Sequence, residues 1–160
     1  AIETSGHAAL KENYFLDDGA YLITRLLISV AKLAKEGKDL EALIETLAMP
    51  KEEAEIRPTF KDPESDFKSL GKGVLDDLAN LVEKTPYISM APNNFEGVRM
   101  NFDKDHGDGW ILVRMSLHEP IMPINLESNS TGGVKILIKE IYDFLSAYDF
   151  LNLKAFEKYC

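Results

Sequence analysis

Gly97-Val98-Arg99-Met100-Asn101-Phe102, then Asp103-Lys104-Asp105-His106-Gly107-Asp108-Gly109, then Trp110-Ile111-Leu112-Val113-Arg114, is the stretch whose reading decides the fold. Two strand-like runs flank a connector dense in Asp and Gly, which predicts a hairpin loop and an antiparallel pair. Tyr87 to Ala91 before it and Ile121 to Ser128 after it read as further strands. Ser65 or Asp66 caps a helix reaching about Lys84, with Phe67, Leu70, Val74, Leu78, Leu81 and Val82 in one apolar stripe at helical spacing. A final helix starts near Thr131 and carries Val134, Leu137, Ile138, Ile141, Leu145 and Tyr148 on one face. Glu52 to Phe60 looks like one more strand, with Ala54, Ile56, Pro58 and Phe60 on one face and Pro58 marking an edge position. Residues 51–160 therefore read as a compact α+β domain: a largely antiparallel sheet with two helices on one face.

Met49-Pro50 breaks the helical pattern upstream and places a domain boundary there. Before it, Asp17 or Asp18 caps a helix from about Gly19 to Glu36 that ends at Gly37. Its apolar residues, including Leu22, Ile23, Leu26, Leu27, Ile28, Val30 and Leu33, cover more than one face, and such a helix is normally buried on several sides. A second, shorter helix follows, with Asp39 as N-cap and Leu40, Leu43, Ile44 and Leu47 on one side. Two such helices cannot bury their apolar surface on each other alone. Residues 1–50 are expected to be the remnant of an α/β domain whose sheet lies upstream.

Composition narrows the function classes. Of 160 residues, 45% are hydrophobic and 28% charged, the balance of a globular protein rather than a disordered chain. Acidic residues outnumber basic ones 27 to 18, for a net charge of −9. That balance speaks against a nucleic-acid partner, whose binding needs clustered Lys and Arg. The single cysteine, Cys160, has no internal disulfide partner and fits a reducing, cytoplasmic setting. No run approaches the ~20 apolar residues of a membrane span.

The chain opens on Ile2-Glu3-Thr4-Ser5-Gly6-His7, a carboxylate, a hydroxyl, a glycine and an imidazole in one short loop. With no hydrophobic strand before it, this loop reads as the back end of something larger. Glu3, Ser5 and His7 are either solvated terminal residues or a sugar site, in which a carboxylate accepts from vicinal hydroxyls and Gly6 lets the backbone approach. A second polar loop, Arg114-Met115-Ser116-Leu117-His118-Glu119-Pro120, follows the apolar run at Trp110 to Val113. Arg114 can clamp an anion bidentately, with the Ser116 hydroxyl, loop amides and His118 as further donors. The same residues also read as a surface Arg114–Glu119 pair of little energetic weight, and the sequence leaves both open.

Other candidates fall away. Counted from Asp103, the sixth and twelfth positions of a calcium loop hold Asp108 and Arg114, where an EF-hand needs Gly and Glu. His7, His106 and His118 lie at no zinc spacing and no cysteine accompanies them. Cys160, as the terminal residue, lacks the fixed neighbours that would activate a nucleophile.

Taken together, the two polar loops resemble those of the α-D-phosphohexomutase superfamily, the phosphoglucomutases and phosphomannomutases. The family's third domain has a sugar loop of the form G-E-x-S-G-H, then an Asp-Asp or Asp-Gly step and a long apolar helix. Glu3-Thr4-Ser5-Gly6-His7, Asp17-Asp18-Gly19-Ala20-Tyr21 and Arg25-Leu26-Leu27 match it. The family's fourth domain carries a phosphate loop, R-x-S-G/N-T-E-P, after a strand that often contains Gly-Trp. Gly109 to Ser116 and Glu119-Pro120 fit it in register, and Glu96-Gly97-Val98-Arg99 looks like the preceding D-G-V-R/K strand. The resemblance covers essentially the whole chain and implies a TBP-like C-terminal domain.

It further implies a parent enzyme that moves a phosphoryl group between O1 and O6 of a hexose phosphate, using a phosphoserine and Mg²⁺ held in upstream domains. Glu3, Ser5 and Gly6 would bind the sugar, His7 would sit beside the reacting oxygens as an accessory group, and Arg114, Ser116 and His118 would hold the non-transferring phosphate. The partners implied are a hexose phosphate and the upstream domains; separately, the apolar surface of helix 19–36 is expected to be exposed in this chain and covered by a second copy. Neither the serine loop nor the Asp-rich Mg²⁺ loop occurs in these residues, so the chain alone is expected to be inactive. Leu117 and His118 stand where the family has Gly or Asn and then Thr, and Ile121-Met122-Pro123-Ile124 replaces its basic residues. The rival reading is a non-catalytic phosphosugar-binding or interaction module on the same fold.

Overall fold

In a computed structural model, residues 2, 6–92 and 94–159 are described. The chain divides into two compact units, Ala1–Ala48 and Met49–Cys160.

In the first unit, helix α1 (Gly19–Lys35) is capped by Asp18, whose carboxylate accepts from the Tyr21 amide at 3.0 Å. That hydrogen bond holds the Asp18 carboxyl below its usual range. No residue of α1 is buried, and Ile23, Leu26, Leu27, Ile28 and Val30 are all exposed. The second helix expected after Asp39 is instead one 3-10 turn, Leu40–Leu43, with Asp39 accepting from the Ala42 amide at 3.3 Å. So short a segment cannot offset the cost of helix nucleation without tertiary packing, and Leu43, Ile44 and Leu47 stay exposed.

The second unit is built on a five-stranded antiparallel sheet. Its strands are β1 (Glu52–Ile56), β3 (Ile88–Met90), β4 (Val98–Phe102), β5 (Gly109–Val113) and β6 (Ile124–Ser128), in spatial order β1-β6-β5-β4-β3. The expected strand from Glu52 to Phe60 is two pieces. Arg57-Pro58 ends β1, and Thr59–Phe60 forms β2, which pairs with β7 (Leu151–Asn152) in a separate two-stranded sheet. Pro58 has no N–H to extend the ladder, and its carbonyl accepts from the Met122 amide at 3.0 Å.

Alternation of side chains gives the main sheet one apolar face, with Ile56, Val98, Met100, Phe102, Ile111, Val113, Ile124 and Leu126 all buried. Helices α2 (Phe67–Lys84) and α3 (Gly133–Leu145) join that core through Val74, Leu78 and Val82, and through Leu137, Ile138, Ile141 and Leu145. Asp66 rather than Ser65 caps α2, accepting from the Ser69 amide at 3.2 Å. The opposite face of the sheet is polar, with the Arg99 guanidinium 4.4 Å from the Trp110 ring centroid and the indole N–H donating to Glu127 at 3.0 Å. The architecture of this unit is the α+β one expected from the sequence, an antiparallel sheet with helices on one face. Among the described residues, no helix is long and apolar enough to cross a membrane.

Candidate functional site

The opening loop is closed by an antiparallel bridge between Ile2 and Ala8, and a second bridge joins Ala9 to Asp17. Gly6 sits at φ +88°, a left-handed conformation that glycine adopts without steric cost. His7 Nδ1 lies 2.6 Å from an Asp17 carboxylate oxygen, so the ring is oriented by its partner on the far side of the bridge. Both side chains are well exposed, and such a pair stabilises little. Glu3 and Ser5 lie outside the described residues. A further surface pair joins Arg25 to Glu12 at 3.4 Å.

The second loop continues the β5–β6 hairpin. The Arg114 amide donates to Pro123 O at 3.1 Å and the Ser116 amide to Ile121 O at 3.2 Å. Extended pairing of this kind alternates side chains, so Arg114 and Ser116 share one side and Met115 takes the other. Met115 packs against the buried core. Beyond it the chain turns through Leu117, His118 and Glu119, all exposed. The turn is held by Ser116 Oγ, which accepts from the amides of His118 at 3.4 Å and Glu119 at 3.2 Å. That use of the oxygen leaves the Ser116 O–H free to donate.

Arg114 is half-buried, and its guanidinium forms no hydrogen bond or ion pair with any described residue. The Arg114–Glu119 pair that the sequence left open is not formed. A planar cation with five donors and no acidic partner is suited to a ligand anion. Ser116 adds a hydroxyl donor beside it, and His118 stands at the loop tip.

Two glycines that periodicity alone passes over shape this loop. Gly97, at φ +84°, begins the approach to β4. A Cβ there would overlap the Val113 carbonyl oxygen and lie 2.8 Å from Arg114 Cα and 2.9 Å from Arg114 Cβ. Gly71 is buried in α2, and a Cβ there would overlap the Met115 sulfur and lie 2.8 Å from its Cε. The signal for Gly97 was present in Glu96-Gly97-Val98-Arg99; nothing in the sequence pointed to Gly71.

The Asp-rich hairpin loop is spent on its own structure. Asp103 accepts from the amides of Asp105 at 3.0 Å and His106 at 3.1 Å, and from His106 Nδ1 at 2.6 Å. The His106 hydrogen bond, above all, holds the Asp103 carboxyl below its usual range. The His106 ring stacks on Tyr87 with centroids 3.8 Å apart. Among the described residues, no group of three or more His, Cys, Asp or Glu is placed to hold a metal ion.

No protein-family model matches the chain. A phosphomannomutase/phosphoglucomutase from Pseudomonas putida is 27% identical over 143 residues, which are 89% of this chain and 27% of that protein. The crystal structure of a phosphoglucomutase/phosphomannomutase family protein from Burkholderia thailandensis superposes with a TM-score of 0.62 at 22% identity, over 91% of this chain and 27% of its own. The chain thus spans about a quarter of the length of each relative. Over about nine-tenths of its residues, this chain is similar in sequence and in fold to the phosphoglucomutase/phosphomannomutase proteins.

Proposed function

We propose that residues 51–160 form the phosphate-binding domain of a phosphohexomutase, with Arg114, Ser116 and His118 holding the non-transferring phosphate of a hexose phosphate. The observation that carries this reading is half-buried Arg114, whose guanidinium has no acidic partner among the described residues, on a loop locked by its own hydrogen bonds. Residues 1–50 are assigned as the end of the preceding α/β domain. Their opening loop would present Glu3, Ser5 and Gly6 to the sugar and His7 to the reacting oxygens, with Asp17 fixing the His7 ring.

Phosphoryl transfer depends mainly on positioning and on electrostatic stabilisation. A clamp on the distant phosphate supplies positioning for whichever end of the sugar is reacting. In phosphohexomutases the phosphoserine and Mg²⁺ supply the transferred group and the charge stabilisation; the role of this chain is recognition. The isomerase activity, between hexose 1-phosphate and hexose 6-phosphate, belongs to the full parent.

A second reading, a non-catalytic phosphosugar-binding module, is favoured by the loop tip. Leu117 is 76% exposed where the family has a small or amide residue, and the amides of His118 and Glu119 already serve Ser116. Both readings share the anion clamp. Titration of the chain with inorganic phosphate and with glucose 6-phosphate tests it: binding that disappears in Arg114→Ala supports the clamp, and unchanged binding overturns it. Activity of the full parent on hexose phosphates then separates enzyme from binding module.

A further inference from the structure

We infer that Gly71 and Gly97 are positioning residues for the phosphate clamp, fixing Arg114 from its two sides; this rests on the proposed role of Arg114. Each makes its contact through the absence of a side chain. Gly97 brings its backbone against the Val113 carbonyl and against Arg114 Cα and Cβ, so the base of the arginine rests on a wall that no other residue could form. Its left-handed φ of +84° adds a second reason for glycine.

Gly71 works from the other side of the strand. It leaves a notch in the buried stripe of α2, one turn before Val74, and the Met115 thioether fills that notch. Met115 lies between Arg114 and Ser116 in the chain, and the amides on either side of it pair with Pro123 and Ile121. Seating Met115 in α2 therefore sets the register at which Arg114 and Ser116 emerge on the opposite side. A long guanidinium stem anchored at its root loses less freedom on binding, and preorganisation of this kind shows in affinity rather than in fold.

The two glycines differ in the effect expected of an added methyl. At Gly71 the atoms met are the far end of a flexible methionine, which can swing aside. Gly71→Ala should therefore keep the fold while unseating Met115. At Gly97 the methyl meets backbone, so Gly97→Ala must shift the Val113–Arg114 strand itself.

The test uses the full chain and inorganic phosphate as probe, with affinity read by NMR titration on the backbone amide resonances of Ser116, His118 and Glu119, which every variant keeps, and the fold read by thermal unfolding. Gly71→Ala is expected to weaken phosphate binding on the order of tenfold with little change in unfolding midpoint, because sub-ångström misplacement costs affinity before it costs structure. Gly71→Ala/Met115→Val, in which a shorter side chain meets the added methyl, is expected to recover most of the loss. Should Gly71→Ala fail to fold, Met115→Ala empties the notch without overpacking and is expected to weaken binding several-fold. If Gly71→Ala or Met115→Ala binds phosphate as tightly as the unaltered chain while Arg114→Ala does not, the positioning role is wrong and the clamp stands. If Arg114→Ala also binds normally, the clamp itself is wrong and the positioning role falls with it.

Discussion

Glu52, the first residue of β1, places both carboxylate oxygens at the N-terminus of α3: one accepts from the Gly132 amide at 2.7 Å, the other from the Val134 amide at 3.1 Å. No side chain within the helix's own segment caps it. Two of the otherwise unpaired first-turn amides are thus satisfied by a residue from the far edge of the sheet. The same contact closes that helix end to any anion.

Glu52→Ala should therefore lower stability by about 1–2 kcal/mol, the usual cost of losing an N-cap. Denaturant unfolding of the full chain measures it. Phosphate binding should be unchanged, because Glu52 takes no part in the clamp.

Arg114→Lys should bind phosphate more weakly than the unaltered chain although the charge is kept. An ammonium is a point charge and cannot offer the paired, planar donors of a guanidinium. The loss should appear in the titration and leave thermal unfolding essentially as before. Equal affinity in the lysine variant would show that charge alone does the binding.

Acid should remove a specific part of the stability of the Lys104–His106 turn. The Asp103 carboxyl is depressed below 3.8, first by its hydrogen bond from His106 and then by loop amides. A depressed carboxyl contributes stability that is present above the unfolded value and lost as pH falls through the folded one. The difference in stability between Asp103→Asn and the unaltered chain should shrink as pH falls through the folded value and vanish well below 3.8. Unfolding curves collected across that range decide it.

At the alkaline end Tyr148 is the group to watch. Burial, then its hydrogen bond to Asp77 at 2.9 Å, push its hydroxyl up to about 12 from 10.0. The folded state therefore binds this proton more tightly than the unfolded state does. Its contribution is intact below pH 10 and lost as pH rises from there towards 12. Tyr148→Phe should flatten that decline, and ultraviolet titration should lose one late-ionising tyrosine.

Truncating the core should cost far more than any of these. Leu78 of α2 is 1% exposed and packs beneath the sheet. Leu78→Ala should destabilise by about 2–5 kcal/mol, the range for buried large-to-small changes. An unfolding free energy within 1 kcal/mol of the unaltered chain's would mean that this face is not the core.

The sequence by itself determined the elements with strong period and clear punctuation. Helices α1, α2 and α3 were legible from apolar stripes bounded by Asp and Gly, and the β4–β5 hairpin from its Asp-Gly connector, because these signals are local. The order of the two polar loops also carried the resemblance to the phosphohexomutases.

Tertiary structure decided the rest, wherever the partner is distant in sequence. It split Glu52 to Phe60 at Pro58, since Thr59–Phe60 pairs with Leu151–Asn152, about ninety residues on. It reduced the apolar run after Asp39 to a single turn, since nothing buries it. It left Arg114 without a carboxylate among the described residues, seated Met115 on Gly71, and gave the N-terminus of α3 to Glu52. Periodicity reports which face of an element is apolar; only the packed chain reports what that face meets.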